Sequence, residues 1–151
     1  MADITKRTGK RLAAHLENGE SVRVALFVEP KGTYGLGAFA LAAAPRTTMR
    51  RMDRKARERH GEEGGIAAGF PGRSSVIAVT DRRILVAPTN GLKFEAPELT
   101  VPLGSMFVQS MARRGMGRRI ELVFSDGSGV EVDAQRLQPF DEFADTVGRA
   151  P

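Results

Sequence analysis

Ser74-Ser75-Val76-Ile77-Ala78-Val79-Thr80-Asp81-Arg82-Arg83-Ile84-Leu85-Val86 is the stretch on which the fold turns. β-Branched residues crowd Val76 to Val79 and Ile84 to Val86, a composition that suits strands. Between them, Thr80-Asp81-Arg82-Arg83 has the chemistry of a bend. Short Thr and Asp side chains accept hydrogen bonds from backbone N–H groups a few residues on, and the arginines can brace the turn. The stretch reads as a β-hairpin whose polar residues are structural.

The same pattern extends in both directions. Upstream, Ser21 to Glu29 alternates, with Val22, Val24, Leu26 and Val28 on one face and Arg23, Ala25 and Phe27 on the other, and Pro30-Lys31-Gly32 closes the strand. Downstream, Asn90-Gly91 is a strong two-residue turn signal before the short segments Lys93-Phe94-Glu95 and Leu99-Thr100-Val101. Met106 to Ala112 and Arg119 to Ser125 flank a tip of Arg113-Arg114-Gly115-Met116-Gly117-Arg118, and Asp126-Gly127 turns into Val130-Glu131-Val132-Asp133. Ile4, Thr8, Leu12 and Leu16 outline an N-terminal helical segment within 1–18. Leu137, Phe140, Phe143, Ala144 and Val147 outline a helix over 137–149, with Pro139 at its start and Asp141 and Glu142 complementing its dipole. About seven antiparallel strands and two or three helices follow, without the strand-helix alternation of parallel sheets. The expectation is one α+β, mainly β domain over 1–151, built as an orthogonal sandwich or small barrel closed by its last helix.

Composition narrows the function. The 151 residues are 41% hydrophobic and 27% charged, as in folded globular proteins. With no Cys there is no disulfide, thiolate nucleophile or thiolate-held metal. No signal peptide is expected, and the longest apolar run, Leu36 to Ala44, is far short of the ~20 residues of a membrane span. The only histidines, His15 and His60, lie near helix ends without a second ligand at metal spacing, and are read as solvated. Gly35-Leu36-Gly37-Ala38-Phe39-Ala40 spells a dinucleotide-type fingerprint, but it does not directly follow its strand and no acidic residue follows at the required place. No cofactor or metal is expected.

The net charge of +5 is unevenly placed. Residues 46–59 hold Arg46, Arg50, Arg51, Arg54, Lys55, Arg57 and Arg59 against Asp53 and Glu58, an excess equal to that of the whole chain. Met49, Met52 and Ala56 form a thin apolar stripe on the same helix, with Gly61 as its stop. Such a helix suits an anionic lipid surface or a phosphate backbone. It equally suits a helix carrying internal pairs, Asp53 with Arg57 and Arg54 with Glu58. Arg113, Arg114, Arg118 and Arg119, around Gly115 and Gly117, suggest a phosphate cradle; the plain alternative is a charged turn that discourages edge pairing. With one Tyr and no Trp, stacking on single-stranded bases is poorly supported.

Leu16-Glu17-Asn18-Gly19-Glu20 before the first strand, and Val79 to Val86 with its Thr80-Asp81-Arg82-Arg83 core, resemble bacterial pleckstrin-homology-like and GRAM-like domains. Phe124-Ser125-Asp126-Gly127-Ser128, followed by a strand and a helix bearing Phe143, is similar to the end of those domains. The resemblance spans roughly Leu16 to Val147. It implies a split barrel of seven strands in two nearly orthogonal sheets, capped by the last helix. It implies no catalytic residue, since such domains bind lipids or proteins or self-assemble. One departure is a helical insertion at 32–65, as in actinobacterial-type members; it replaces the loop that carries basic residues in lipid-binding members. The expected role is a non-enzymatic, cytoplasmic adaptor for a protein partner or a second copy. The alternative is peripheral binding of anionic lipid, at the inner face of the membrane, or of nucleic acid through the basic helix and hairpin.

Overall fold

The computed structural model describes residues 3–32, 46–90 and 93–151; within these, nothing is said of the side chains of residues 46–49 and 52. Helix α1 (Ile4–Arg11) opens on Asp3, whose carboxylate accepts from the Thr5 and Lys6 N–H groups at 3.0 and 3.2 Å. After it come strand β1 (Val22–Pro30), helix α2 (Arg46–Glu63), β2 (Ser75–Thr80), β3 (Arg83–Asn90), β4 (Lys93–Phe94), β5 (Leu99–Pro102), β6 (Met106–Arg114), β7 (Gly117–Phe124), β8 (Gly129–Gln135) and helix α3 (Phe140–Val147).

The eight strands form one open sheet in the order β4-β3-β2-β1-β8-β7-β6, with β5 also on β3, and every pairing is antiparallel. β1 joins its two halves. Val22 to Val28 pair with β2, whereas Glu29 and Pro30 pair with Asp133 and Val132 of β8. Away from that junction, Gln138 replaces a strand partner: it accepts from the Phe27 N–H at 2.7 Å and donates to the Phe27 carbonyl at 3.0 Å. A side-chain amide has both the donor and the acceptor that a missing neighbour would have offered.

The main core lies on the inner faces of both halves. Val24, Leu26, Ile77, Val79, Ile84 and Val86 meet Ile120, Leu122, Phe124, Val130 and Val132, and Phe140, Phe143, Ala144 and Val147 of α3 complete it. The other face of the first half-sheet is also buried. There Ala25, Val76, Ala78, Leu85 and Ala87 pack with Leu12, beyond the end of α1. Double coverage explains why β2 reads as a continuous apolar run.

Three expected boundaries move. α2 runs through Gly61 to Glu63, and the stop is Gly64, at φ 71°, whose N–H reaches the His60 carbonyl at 3.2 Å. The last helix begins at Phe140, leaving Leu137 outside it, 74% exposed and at φ 69°. The β6–β7 tip contracts to Gly115-Met116, because Arg114 pairs with Gly117 and Arg113 with Arg118. Asn90 pairs with Lys93 as a two-residue loop requires; its residues Gly91 and Leu92, and the run 35–44 with its glycine fingerprint, lie outside the described residues.

Candidate anion-binding surface

The Thr80-Asp81-Arg82-Arg83 bend closes on the segment before β1. Thr80 Oγ1 accepts from the Arg82 and Arg83 N–H groups at 3.1 and 3.0 Å, and donates to Glu20 Oε2 at 2.7 Å. Asp81 accepts from the Ser21 N–H at 3.0 Å. Arg83 forks onto both Glu20 oxygens at 2.9 Å and reaches the His15 carbonyl at 3.0 Å; Arg82 binds Glu17 Oε2 and the Asn18 carbonyl, both at 3.0 Å. The Glu20 side chain is fully buried, and its hydrogen bonds from Arg83, the Glu17 N–H and Thr80 together outweigh desolvation and lower its pKa from 4.5 to about 2. These two arginines are consumed by the fold. The bend and Leu16 to Glu20, two of the stretches that carry the family resemblance, thus bind each other.

Asp126 and Gly127 have a comparable structural task. Gly127 turns at φ 88°, while Asp126 accepts from the Ile66 N–H at 2.7 Å and from the Ser128 N–H and hydroxyl at 3.0 and 2.6 Å. Those hydrogen bonds hold its pKa below the ordinary value. They also pin the end of the insertion to the sheet. Glu63 accepts from the Gly129 N–H at 3.2 Å, Ala56 is fully buried, and Phe70 enters the main core. His60, expected in solvent, is buried; its Nδ1 lies 3.0 Å from the Phe70 carbonyl, its ring meets Phe70 edge-on, and burial lowers its pKa.

The nine arginines and one lysine expected to bind anions divide into groups with different fates. Arg57 binds Asp53 at 3.2 Å and Glu98 at 2.9 Å. Arg119 pairs with buried Asp133 at 3.0 Å, and Asp133 also accepts from the Gly32 N–H at 2.9 Å. Hydrogen bonding to Asp133 raises the Arg119 pKa further. Arg118 stands 4.6 Å over the Phe140 ring. In contrast Arg50, Arg51, Arg54 and Lys55 on α2, and Arg113 and Arg114 on β6, are exposed and have no carboxylate partner among the described residues. The expected Arg54–Glu58 pair does not form, and the side chain of Arg46 lies outside the described residues, as do those of Met49 and Met52.

At the β6–β7 tip the strand register divides the four arginines between the two faces of the sheet. Arg113 opposes Arg118 and shares the inner face with Ile120, whereas Arg114 and Arg119 project to the other face, as strand alternation requires. The end of α2 is tied to Gly129, six residue pairs along the β7–β8 ladder from Gly117 and Gln135, or roughly 20 Å. No hydrogen bond or ion pair joins the basic helix to the tip among the described residues.

An open cleft of about 420 Å³ separates α2 from β7 and β8. Its lining mixes Lys31, Arg59 and His60 with Glu63, Glu121 and Glu131, and Lys31 pairs with Glu131, so the cleft has no one-sided charge preference. Next to it Glu29 is held above the ordinary carboxylate value, chiefly by burial, although the Ser74 hydroxyl donates to it. No helix among the described residues is long and apolar enough to cross a membrane. No protein-family model matches the sequence, and comparison with curated proteins and with solved structures finds no match.

Proposed function

We propose that the protein is a non-enzymatic binding module of pleckstrin-homology-like architecture that docks on an anionic, phosphate-bearing surface at the inner face of a membrane. In this reading the two halves of the sheet are those of a split barrel, β1 is the strand they share, and α3 is the cap. The supporting observation is the division among the arginines. Those of the β2–β3 bend are paired with Glu17 and Glu20, while Arg50, Arg51, Arg54, Lys55, Arg113 and Arg114 are exposed and have no carboxylate partner among the described residues. Unpaired surface cations lose little hydration until they meet fixed anions, which makes them available for docking.

The test is flotation with phosphatidylcholine vesicles with and without phosphatidylserine, at low salt and at about 0.15 M. Binding that requires the anionic lipid and falls when Arg50, Arg51 and Arg54, or Arg113 and Arg114, become Glu supports the reading. Equal binding of the charge-reversed and parent proteins defeats it. Duplex DNA as a competitor separates lipid from nucleic-acid phosphates.

A second reading, an adaptor for a protein partner or a second copy, is favoured by the edge of β6. Beyond Val108, which bonds to residues 148 and 150, Gln109, Ser110, Ala112, Arg113 and Arg114 are exposed on a strand with no outer neighbour among the described residues. Sedimentation equilibrium over a range of protein concentrations tests self-association directly.

A further inference from the structure

Among the described residues three large apolar side chains are exposed: Leu103, Met116 and Leu137, at 43%, 68% and 74%. Two of them occupy one end of the sheet. Gly117 pairs with Gln135, and the Arg136 N–H lies 3.4 Å from the Met116 carbonyl, so the β6–β7 tip and the segment after β8 run side by side. Over 112–118 and 134–140 the charged side chains are Arg113, Arg114, Arg118 and Arg136, without one carboxylate; Asp133, just before, is buried on Arg119, and Asp141 and Glu142 follow on α3. Met116 and Leu137 are thus exposed on two adjoining segments whose charged residues are all arginines.

The backbone supports the same point. Leu137 is the only described non-glycine residue with positive φ, a conformation that disfavours a branched side chain. Gln138 explains how it is held: its amide clasps Phe27 on both sides and donates to the Gln135 carbonyl at 3.0 Å, so the intervening residues bulge outward. Glycine would satisfy that geometry without strain and without exposing a leucine. On the opposite side, Arg118 on Phe140 fixes the base of the tip to α3. The fold therefore holds an apolar side chain in water at a local cost, with arginines on the same segments.

We propose that this tip inserts into the interfacial zone of an anionic bilayer, with Met116 and Leu137 entering the acyl boundary while Arg113, Arg114 and Arg136 engage lipid phosphates. The inference rests on the membrane reading above and goes further, because charge attraction alone needs no apolar entry. Charge complementarity selects this occupant: exposed apolar residues on segments whose charges are all arginines match the layered chemistry of headgroup and chain.

The chain has no cysteine, so Met116→Cys, Leu137→Cys and Leu103→Cys each create a unique labelling site. Leu103 precedes the far end of β6, roughly 25 Å from the tip along the strand, and is the internal control. With an environment-sensitive fluorophore, phosphatidylserine-containing vesicles should shift emission to the blue at 116 and 137 but not at 103. A parallel variant, Leu137→Gly, should raise the thermal midpoint while weakening vesicle binding about tenfold at 0.15 M salt. Sedimentation with the vesicles but no spectral change at 116 or 137 overturns insertion and leaves electrostatic docking standing. Equal shifts at all three sites overturn the assigned orientation. No binding to any vesicle overturns both proposals.

Discussion

Two hairpins in this molecule carry adjacent arginines, and they treat them in opposite ways. At the β2–β3 bend, Arg82 and Arg83 fold back onto Glu17 and Glu20, from a segment more than sixty residues away. At the β6–β7 tip, Arg113 and Arg114 meet no carboxylate among the described residues, while Arg118 and Arg119 on β7 are held by an aromatic ring and by Asp133. Local sequence is similar in kind at both places. What differs is what the rest of the chain brings alongside: a buried acid converts guanidinium groups into a clasp, and its absence leaves them to solvent and to whatever binds there. Charge in a turn acquires a role only through its partner.

The comparison breaks most visibly at Glu20. Arg83→Ala should cost about 3–5 kcal/mol in urea unfolding, because it leaves the buried Glu20 carboxylate without its counter-ion, and Glu20→Ala less, because Arg83 is partly exposed and keeps the His15 carbonyl. A loss below about 1 kcal/mol for Arg83→Ala would remove the distinction between the two hairpins.

Acid should act at the same clasp. Because the folded pKa of Glu20 is about 2 against an ordinary 4.5, its contribution is fully present above pH 4.5 and disappears as pH falls through 2. The difference corresponds to roughly 3 kcal/mol. Urea unfolding of the parent and of Glu20→Gln across this range should give a stability gap that is constant near neutrality and narrows below pH 4.5. A gap independent of pH would mean that another group carries the linkage.

Arg119 lies between the extremes. Arg119→Met should cost about 2 kcal/mol, less than the Glu20 clasp because the Gly32 N–H still satisfies Asp133; denaturant midpoints decide it. Arg118→Ala should cost only about 0.5–1 kcal/mol through the lost contact with Phe140, and a double-mutant cycle with Phe140→Leu isolates it. Arg113→Ala and Arg114→Ala should change stability by less than about 0.5 kcal/mol. Thermal melts of these two variants complete the series, and a clear destabilisation of either would show a partnership that this structure lacks.

Most strands were legible in the sequence because their signals are local. Alternation in Val22 to Val28, β-branched runs around the bend, and Asn90-Gly91 and Asp126-Gly127 act within a few residues, and their elements lie where expected. Helix ends were less legible: Gly61 is tolerated inside α2, where tertiary bonds from Glu63 to Gly129 and from His60 to Phe70 continue the helix past it. Leu137 misleads for a related reason. Its spacing matches the apolar face of α3, but Gln138 is drawn to Phe27 and displaces it from the helix. Of the candidate site, the identity of the basic residues was on the page from the start, whereas their neutralisation by Glu98 or Asp133 was not, since those partners come from other elements.

By itself the sequence determined a mainly β domain with terminal helices, a net excess of arginine in two places, and a polar hairpin bend whose residues serve structure. Period and turn chemistry are properties of neighbours along the chain, so these follow without coordinates. Only the tertiary structure decided which arginines are spent and which remain, that β1 is shared by two halves of one open sheet, and that Met116 and Leu137 are exposed on adjoining segments. Each of those depends on groups distant in sequence meeting in space, where the presence or absence of one carboxylate sets the fate of a charge.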